Sequence, residues 1–232
     1  MEESFMSKMT SRSGLIMSLA LASAVLGGCA VSRPAPYKEL ASSGRLSPNL
    51  NDRSGRAPYS FSKPVDWTSR YHSVLIDPVV IYRGADQQFE KISDADKREL
   101  ATYMRDQFSA RLSENYKQVE QPGPGVLRVS LTLTGAKTTK AVIGALAHFD
   151  LAGGSYNAVQ AARGREAALT GWVMYAVELH DAASGELLGA EIVKQYPNAM
   201  NIKASVGALS AAKAGVRKGA DDLNQRLSGR RS

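Results

Sequence analysis

The side chains best suited to chemistry in this sequence are three acids beside predicted strands, Asp77, Glu178 and Asp181. Carboxylates that converge in one concave pocket, with the pKa of one of them raised, can act as a general acid and a general base. The acids therefore support a hydrolase hypothesis, in which the substrate is a polymer. This hypothesis requires the three side chains to converge, and scattered surface positions would contradict it.

Histidine supplies the next candidates, since a carboxylate beside an imidazole can orient a base or share a metal ion. Each histidine has an acid nearby in sequence: His72 with Asp77, His148 with Asp150, and His180 with Asp181. No two histidines have ligand spacing, and Ser155, which follows two glycines, has no recognisable base. The motifs of phosphate-binding loops, dinucleotide sites, serine hydrolases and zinc peptidases do not occur. The sequence therefore predicts no catalytic residue, no metal site and no cofactor.

The first thirty residues have the layout of an export signal. Lys8 and Arg12 precede an apolar run, 14–25, that is too short to cross a bilayer comfortably. The run ends in Leu26-Gly27-Gly28-Cys29, and small residues before a cut let a peptidase seat an extended backbone. We therefore expect cleavage between Gly28 and Cys29.

Cys29 is the only cysteine in the chain, which excludes a disulfide framework and multi-cysteine metal sites. The motif that ends in it resembles the bacterial lipoprotein box, in which the cysteine is diacylated and becomes an N-acylated N-terminus. Several acyl chains anchor a protein firmly in a membrane. Ala30 resembles the residue that follows the cysteine in lipoproteins sorted to the outer membrane. The alternative is an ordinary secretory signal in which the cysteine is incidental.

The basic charge of the protein bears on its partners. The formal net charge is +7 and the isoelectric point is near 9.5, but export makes nucleic acid a poor candidate. A predicted C-terminal helix carries the cations Lys213, Arg217, Lys218 and Arg226 on its polar face. These side chains could contact an anionic glycolipid or an acidic protein of the cell envelope. The alternative is an ordinary solvated face.

Composition divides the chain into four parts. After the signal peptide, 1–28, residues 29–66 are rich in Ser, Pro, Asn, Arg and Gly, which indicates a lipidated N-terminus and a low-structure tether. We expect residues 67–228 to form a single domain and residues 229–232 to form a basic tail. An Ala/Gly-rich insertion, 138–168, interrupts the domain and is either a mobile insertion or a segment that contacts a partner.

Hydrophobic periodicity predicts the strands of that domain. Apolar β-branched residues over 74–82 indicate a strand in which Pro78 marks an edge or a bulge, and alternation over 127–134 indicates a half-buried strand. Strands over 172–179 and 187–193 flank a turn and form a hairpin.

Two amphipathic helices complete the domain. Ser93 begins a capping box, and apolar residues at four-residue spacing predict a helix from there to about Asn115. Alternating three- and four-residue steps predict a second helix from Lys203 to about Leu227. Because strands and helices do not alternate regularly, we expect an α+β fold, with an antiparallel sheet of about four to five strands and both helices on one face.

Several short motifs together resemble a family of proteobacterial lipoproteins that share domain of unknown function 3313. The matching segments are Ser43-Gly44-Arg45-Leu46-Ser47, residues 71–81 with an Ile-Asp-Pro-Val core, Ile92-Ser93, Pro122-Gly123, Leu127-Arg128-Val129 and the 178–188 hairpin. At His180 the chain departs from the acid expected in that family. The resemblance implies a fold and a location in the cell envelope, and it supplies no catalytic residues.

These observations favour a lipid-anchored periplasmic domain that serves as a binding or assembly accessory of the cell envelope rather than an enzyme. An anchor raises the local concentration of a binding domain near its partner. Two alternatives stay open: a hydrolase that acts on an envelope polymer through Asp77, Glu178 and Asp181, and a module that binds anionic glycolipid through its C-terminal helix. The second alternative predicts binding that weakens steeply with salt.

Overall fold

The computed structural model describes residues 32–139, 171–197 and 207–229, which contain nine strands and three helices. The strands are β1 (Ser47–Pro48), β2 (Tyr59–Ser62), β3 (Ser73–Ile76), β4 (Val80–Ile81), β5 (Gln88–Glu90), β6 (Lys117–Gln118), β7 (Val126–Lys137), β8 (Trp172–Asp181) and β9 (Leu187–Gln195). The helices are α1 (Trp67–Arg70), α2 (Asp94–Leu112) and α3 (Ser210–Leu227). None of these three helices is long and apolar enough to cross a membrane.

The strands form one mixed sheet in the order β1-β2-β9-β8-β7-β3-β6. β7 is antiparallel to β8 on one side, and on its other side it is parallel to β3, β4 and β5 in succession. The prediction of an α+β domain is confirmed, but the prediction of an antiparallel sheet of four to five strands is wrong. Parallel pairing requires a crossover connection, and α2 lies in the connection between the β3–β5 series and β7.

Both predicted amphipathic helices pack on one face of the sheet. The Asp96 amide donates to Ser93 Oγ at 3.1 Å and caps α2, as the predicted capping box requires. The buried side of α2 consists of Leu100, Ala101, Met104, Phe108 and Leu112. The hydrophobic residues that α3 buries in the same core are Ala212, Val216, Ala220, Leu223 and Leu227. The two helices and alternate residues of β7 and β8 share this main core.

Residues 34–46, here called the N-terminal segment, pack on the opposite face of the sheet. Tyr37 is fully buried and Leu40 is 8% exposed. The sheet residues in the same hydrophobic cluster are Tyr82, Ala176 and Ile192. The tether predicted over 29–66 is therefore wrong for this segment. Its composition predicts little regular structure, but its few large apolar side chains still gain free energy from burial against the sheet.

Hydrogen bonds also attach the N-terminal segment to the sheet. Tyr37 Oη donates to Gln88 Oε1 at 2.6 Å, and the Ser42 amide donates to Glu178 Oε1 at 2.6 Å. The rest of the predicted tether includes β1 and β2, and β2 pairs with β9. The folded domain thus begins well before residue 67, and the described residues from Pro34 onwards belong to one compact unit.

Several predictions fall outside the described residues. They concern the signal peptide 1–28, the lipidation site Cys29, residues 140–168 of the Ala/Gly-rich insertion, the start of the C-terminal helix at 203–206, and the basic residues 230–231. Within the described range, α3 begins at Ser210 and ends at Leu227, where the sequence predicts its end.

Candidate functional site

The three acids of the hydrolase hypothesis lie on two faces of the sheet. Ser130 and Glu178 are paired neighbours across β7 and β8, and Ser130 Oγ donates to Asp77 Oδ2 at 2.6 Å. Asp77 and Glu178 therefore share the face that carries the N-terminal segment. Asp181 pairs with the core residue Leu127 and lies on the face that carries the helices. The three carboxylates do not converge, which removes the geometric basis of the hydrolase hypothesis.

Asp181 closes the turn between β8 and β9. Its Oδ1 accepts bonds from the amides of Ala183 and Ser184 at 3.1 and 2.9 Å and from Ser184 Oγ at 3.0 Å. Its Oδ2 accepts bonds from Tyr71 Oη at 2.9 Å and from Arg70 Nη2 at 3.1 Å. These bonds, chiefly those from Ser184, lower the pKa of Asp181 to about 2. A carboxyl with this pKa is suited to holding a turn and unsuited to donating a proton near neutral pH.

Asp77 is held by two neighbours on β7. Arg128 Nε lies 3.1 and 2.9 Å from the two Asp77 carboxylate oxygens, and Ser130 Oγ lies 2.6 Å from Oδ2. These bonds join β7 to the chain just after β3, where Pro78 interrupts the strand. The carboxylate therefore has a structural role at this interruption.

Glu178 and His180 are polar residues of β8, and Glu178 lies beneath the N-terminal segment. Glu178 is 6% exposed, and its Oε1 accepts the Ser42 amide bond. His180 Nδ1 is buried and has no hydrogen-bond partner among the described residues. Burial lowers the pKa of His180, while the nearby Glu178 raises it and Arg128 lowers it. Burial is the largest of these effects, so the neutral imidazole is favoured relative to an exposed histidine.

Of the remaining nucleophile and ligand candidates, only His72 lies within the described residues. His72 is exposed beside Gly125, while His148 and Ser155 lie outside the described residues. In the part of the chain that the structure covers, no three His, Cys, Asp or Glu side chains are grouped so that they could hold a metal ion.

The four cations of the predicted contact surface on α3 each have a partner. Lys213 Nζ lies 2.6 Å from Glu99, and Lys218 Nζ lies 2.8 Å from Asp222. Arg217 Nη1 donates to Tyr103 Oη at 2.8 Å. Arg226 lies 2.5 Å from Glu191 of β9. Ion pairs with α2, β9 and α3 itself neutralise three of the four charges, so this face offers little unpaired positive charge to an anionic ligand.

An open groove of about 420 Å³ lies where β2 and β9 meet the C-terminal end of α3. This volume falls within the range of small-molecule sites, about 300–1,000 Å³. The side chains that line it include Asn49, Lys63, Val65, Trp67, Val177, Leu179, Glu191 and Arg226. We regard this groove as a candidate binding site.

The groove combines apolar and charged groups. Val177 and Leu179 are part of the main core, and the half-buried Trp67 packs near it. Arg226 Nη1 and Nη2 donate to Glu191 Oε2 and Oε1 at 2.5 and 2.8 Å, which is a bidentate pair. A groove of this kind suits a ligand that has an apolar face and hydrogen-bonding groups.

Local structure explains how Trp67 reaches the groove. Asp66 caps α1 by accepting a bond from the Ser69 amide at 3.2 Å, so the helix begins at Trp67. The Trp67 ring lies 6.2 Å from the ring of Tyr71 between centroids. Sequence analysis singled out Arg226 but missed Trp67 and Glu191. The only available signal was an isolated tryptophan directly after a capping residue.

The fold and the groove define an α+β domain on a mixed sheet, with two long helices on one face and an N-terminal segment on the other. The chain belongs to the family described as protein of unknown function (DUF3313), whose model matches residues 36–223. The resemblance seen in the sequence is thereby confirmed. The match begins within the N-terminal segment, so most of that segment is part of the family domain. No curated protein matches the chain significantly.

Solved structures supply distant likenesses. A PelC dodecamer from Paraburkholderia phytofirmans matches with 10% identity and a TM-score of 0.37, over 70% of this chain and 94% of that one. The hypothetical protein CT253 from Chlamydia trachomatis matches with 10% identity and a TM-score of 0.35, over 68% of this chain and 99% of that one. These values are too low to carry a functional argument.

Proposed function

We propose that this chain is an outer-membrane-anchored lipoprotein that faces the periplasm and acts as a binding or assembly accessory of the cell envelope. The anchor is an acylated Cys29, which follows the Leu26-Gly27-Gly28 sequence of a lipoprotein box. The binding surface is the groove lined by Trp67, Glu191 and Arg226.

The observation that carries the proposal is how soon the folded domain begins after Cys29. Pro34 is buried and follows Cys29 by five residues, which span at most about 18 Å when fully extended. An anchor at Cys29 would therefore hold the domain at the membrane surface instead of on a long tether. That arrangement suits a protein that meets its partner at the membrane, because the anchor raises the local concentration of the groove.

The first experiment tests the anchor. Cells that express the wild type or Cys29→Ala are labelled with an alkyne fatty acid, and inner and outer membranes are then separated. We expect label on the wild type alone and in the outer-membrane fraction. An unlabelled wild type would contradict the anchor, and label in the inner membrane would contradict the proposed location.

A second experiment tests the groove. A photocrosslinking amino acid is placed at Trp67, and the matched control carries it at Leu50, which is 92% exposed and outside the groove. We expect a single envelope component to be captured in cells from position 67 and not from position 50. Equal capture from both positions would contradict a role for the groove.

A further inference from the structure

The outer edge of β3 is only partly paired. Residues on a strand direct their backbone groups alternately to the two neighbouring strands. The Ser73 amide donates to Gly125 O, just before β7, at 3.3 Å, and the Asp77 amide donates to Val129 O of β7 at 3.1 Å. Val74 O faces the other way and accepts the Val119 amide at 3.0 Å, next to the end of β6. The next residue that faces outward is Ile76, whose backbone groups have no partner among the described residues.

A groove runs along this open edge. It has a volume of about 480 Å³, and its lining includes the edge residues 74–78 and, from α2, Arg105 and Ser109. Gln118 Nε2 donates to Ser109 O at 2.6 Å and joins the end of β6 to the helix. A groove between a strand edge and a helix is the setting in which an extended peptide can add to a sheet.

The groove offers apolar contact as well as backbone groups. Ile76 is half-buried and packs against the main core from the edge. Val119, just beyond β6, is half-buried and also lines the groove. Pro78 has no amide hydrogen, so it limits the pairing edge to a short stretch around Ile76. Any added strand must therefore be short.

The cation Arg105 indicates which charge a peptide bound in this groove should carry. It is exposed on α2, lines the groove, and makes no ion pair or hydrogen bond within the described residues. Asp77, an acid on the strand side of the lining, is already bound to Arg128 and Ser130. An acidic side chain on an added strand could pair with Arg105, and Glu120 in the same lining would disfavour a strand that carries several acids.

We propose that an extended segment of a partner protein, with one acidic side chain, adds as a short strand beside Ile76 in this groove. The Ile76 amide and carbonyl bind the added backbone, and Arg105 binds the acid. This groove is a second binding surface, separate from the one at Trp67, and the proposal depends on neither that surface nor the lipid anchor.

The experiment selects binders from a phage-displayed library of random ten-residue peptides on the full chain with Cys29→Ala. Affinities of the selected peptides are measured for this protein, for Arg105→Glu and for the control Arg98→Glu. Arg98 is an exposed cation of the same helix that lines a different cavity. We expect each selected peptide to contain an acid, and its affinity to fall at least about tenfold with Arg105→Glu and to be unchanged with Arg98→Glu.

A backbone readout distinguishes strand addition from other binding. We expect the bound peptide to slow hydrogen exchange at the Ile76 amide, and methylation of alternate peptide amides to abolish binding. The proposal is overturned if no acidic peptide is selected, if both charge reversals act alike, or if exchange at Ile76 is unchanged. It is also overturned if the protein self-associates and Arg105→Glu makes it monomeric, since the occupant would then be a second copy. Normal fatty-acid labelling alongside such a result would leave the anchor proposal standing.

Discussion

The hydroxyl oxygen of Tyr175 lies 1.7 Å from the position that a Cβ atom on Gly219 would occupy. Gly219 is buried in α3, and Tyr175 is buried in β8 beneath it. The tyrosine hydroxyl thus fits into a gap that exists only because residue 219 has no side chain. This contact is one of the points at which α3 closely approaches the sheet.

Gly219→Ala is therefore expected to lower the free energy of unfolding. Overpacking a well-packed core costs about 1–3 kcal/mol, and the better helix propensity of alanine recovers about 0.5–1 kcal/mol of this. The measurement is urea denaturation, with Gly44→Ala as the control because a Cβ at Gly44 meets no atom within 4 Å. In a Tyr175→Phe background the cost of Gly219→Ala should shrink, and an unchanged cost would contradict the contact.

The N-terminal segment should contribute to stability through Tyr37. Truncation of a buried aromatic side chain costs about 3–5 kcal/mol, so Tyr37→Ala should cause a large loss in the free energy of unfolding. Tyr37→Phe keeps the ring and loses the bond to Gln88, and should cost about 1 kcal/mol. Leu50→Ala, at an exposed position of the same N-terminal region, is the control and should change little. If Tyr37→Ala left the free energy of unfolding unchanged, the result would favour the free tether that the composition indicates.

Asp181 should make stability depend on acid pH. Its pKa is about 2 in the folded protein against a usual value of 3.8, so its contribution is present above the usual value and is lost as pH falls towards 2. The contribution is roughly 2 kcal/mol. Unfolding measured between pH 5 and 2 should show a flatter pH dependence for Asp181→Asn than for the wild type. Tyr71→Phe removes one of the bonds and should lie between them.

His180 should titrate below its usual pKa of 6.5, because burial disfavours the charged imidazolium. Among its three charged neighbours, Glu178 and Asp77 raise this pKa and Arg128 lowers it. Glu178→Gln should lower the pKa of His180 further, and Arg128→Gln should raise it. Proton NMR of the imidazole checks both variants, and shifts in the same direction would contradict the arrangement on β8. Since the folded pKa is depressed, stability due to this group is lost as pH falls through it.

The elements that the sequence predicts well depend on local patterns. The Ser93 hydroxyl caps α2 by accepting a bond from the amide of Asp96, three residues later. The spacing of the apolar residues that follow determines which side of the helix is buried. The hairpin of β8 and β9 is similar, because Gly185 with a φ of 73° joins two alternating strands that are neighbours in sequence. Interactions within a few residues determine such features, so they can be inferred without the tertiary structure.

The errors concern pairings between distant parts of the chain. The parallel line of β3, β4 and β5 along β7 depends on the path that the chain takes through α2, which no local pattern specifies. The partners of Lys213 and Arg226 lie on other elements, so the sequence could show a basic face but not its neutralisation.

By itself the sequence determined the helix and hairpin patterns and the family, and it predicts an export signal that ends at a single cysteine. Only the tertiary structure decided that Asp181 faces away from Asp77 and Glu178, that Trp67 lines a groove, and that the N-terminal segment is docked. The physical reason is that the Ser42 amide meets Glu178 across 136 positions of sequence. The composition of residues 34–46 indicates only that they form little regular structure by themselves. Their position is determined by burial against a sheet whose strands come from later in the sequence.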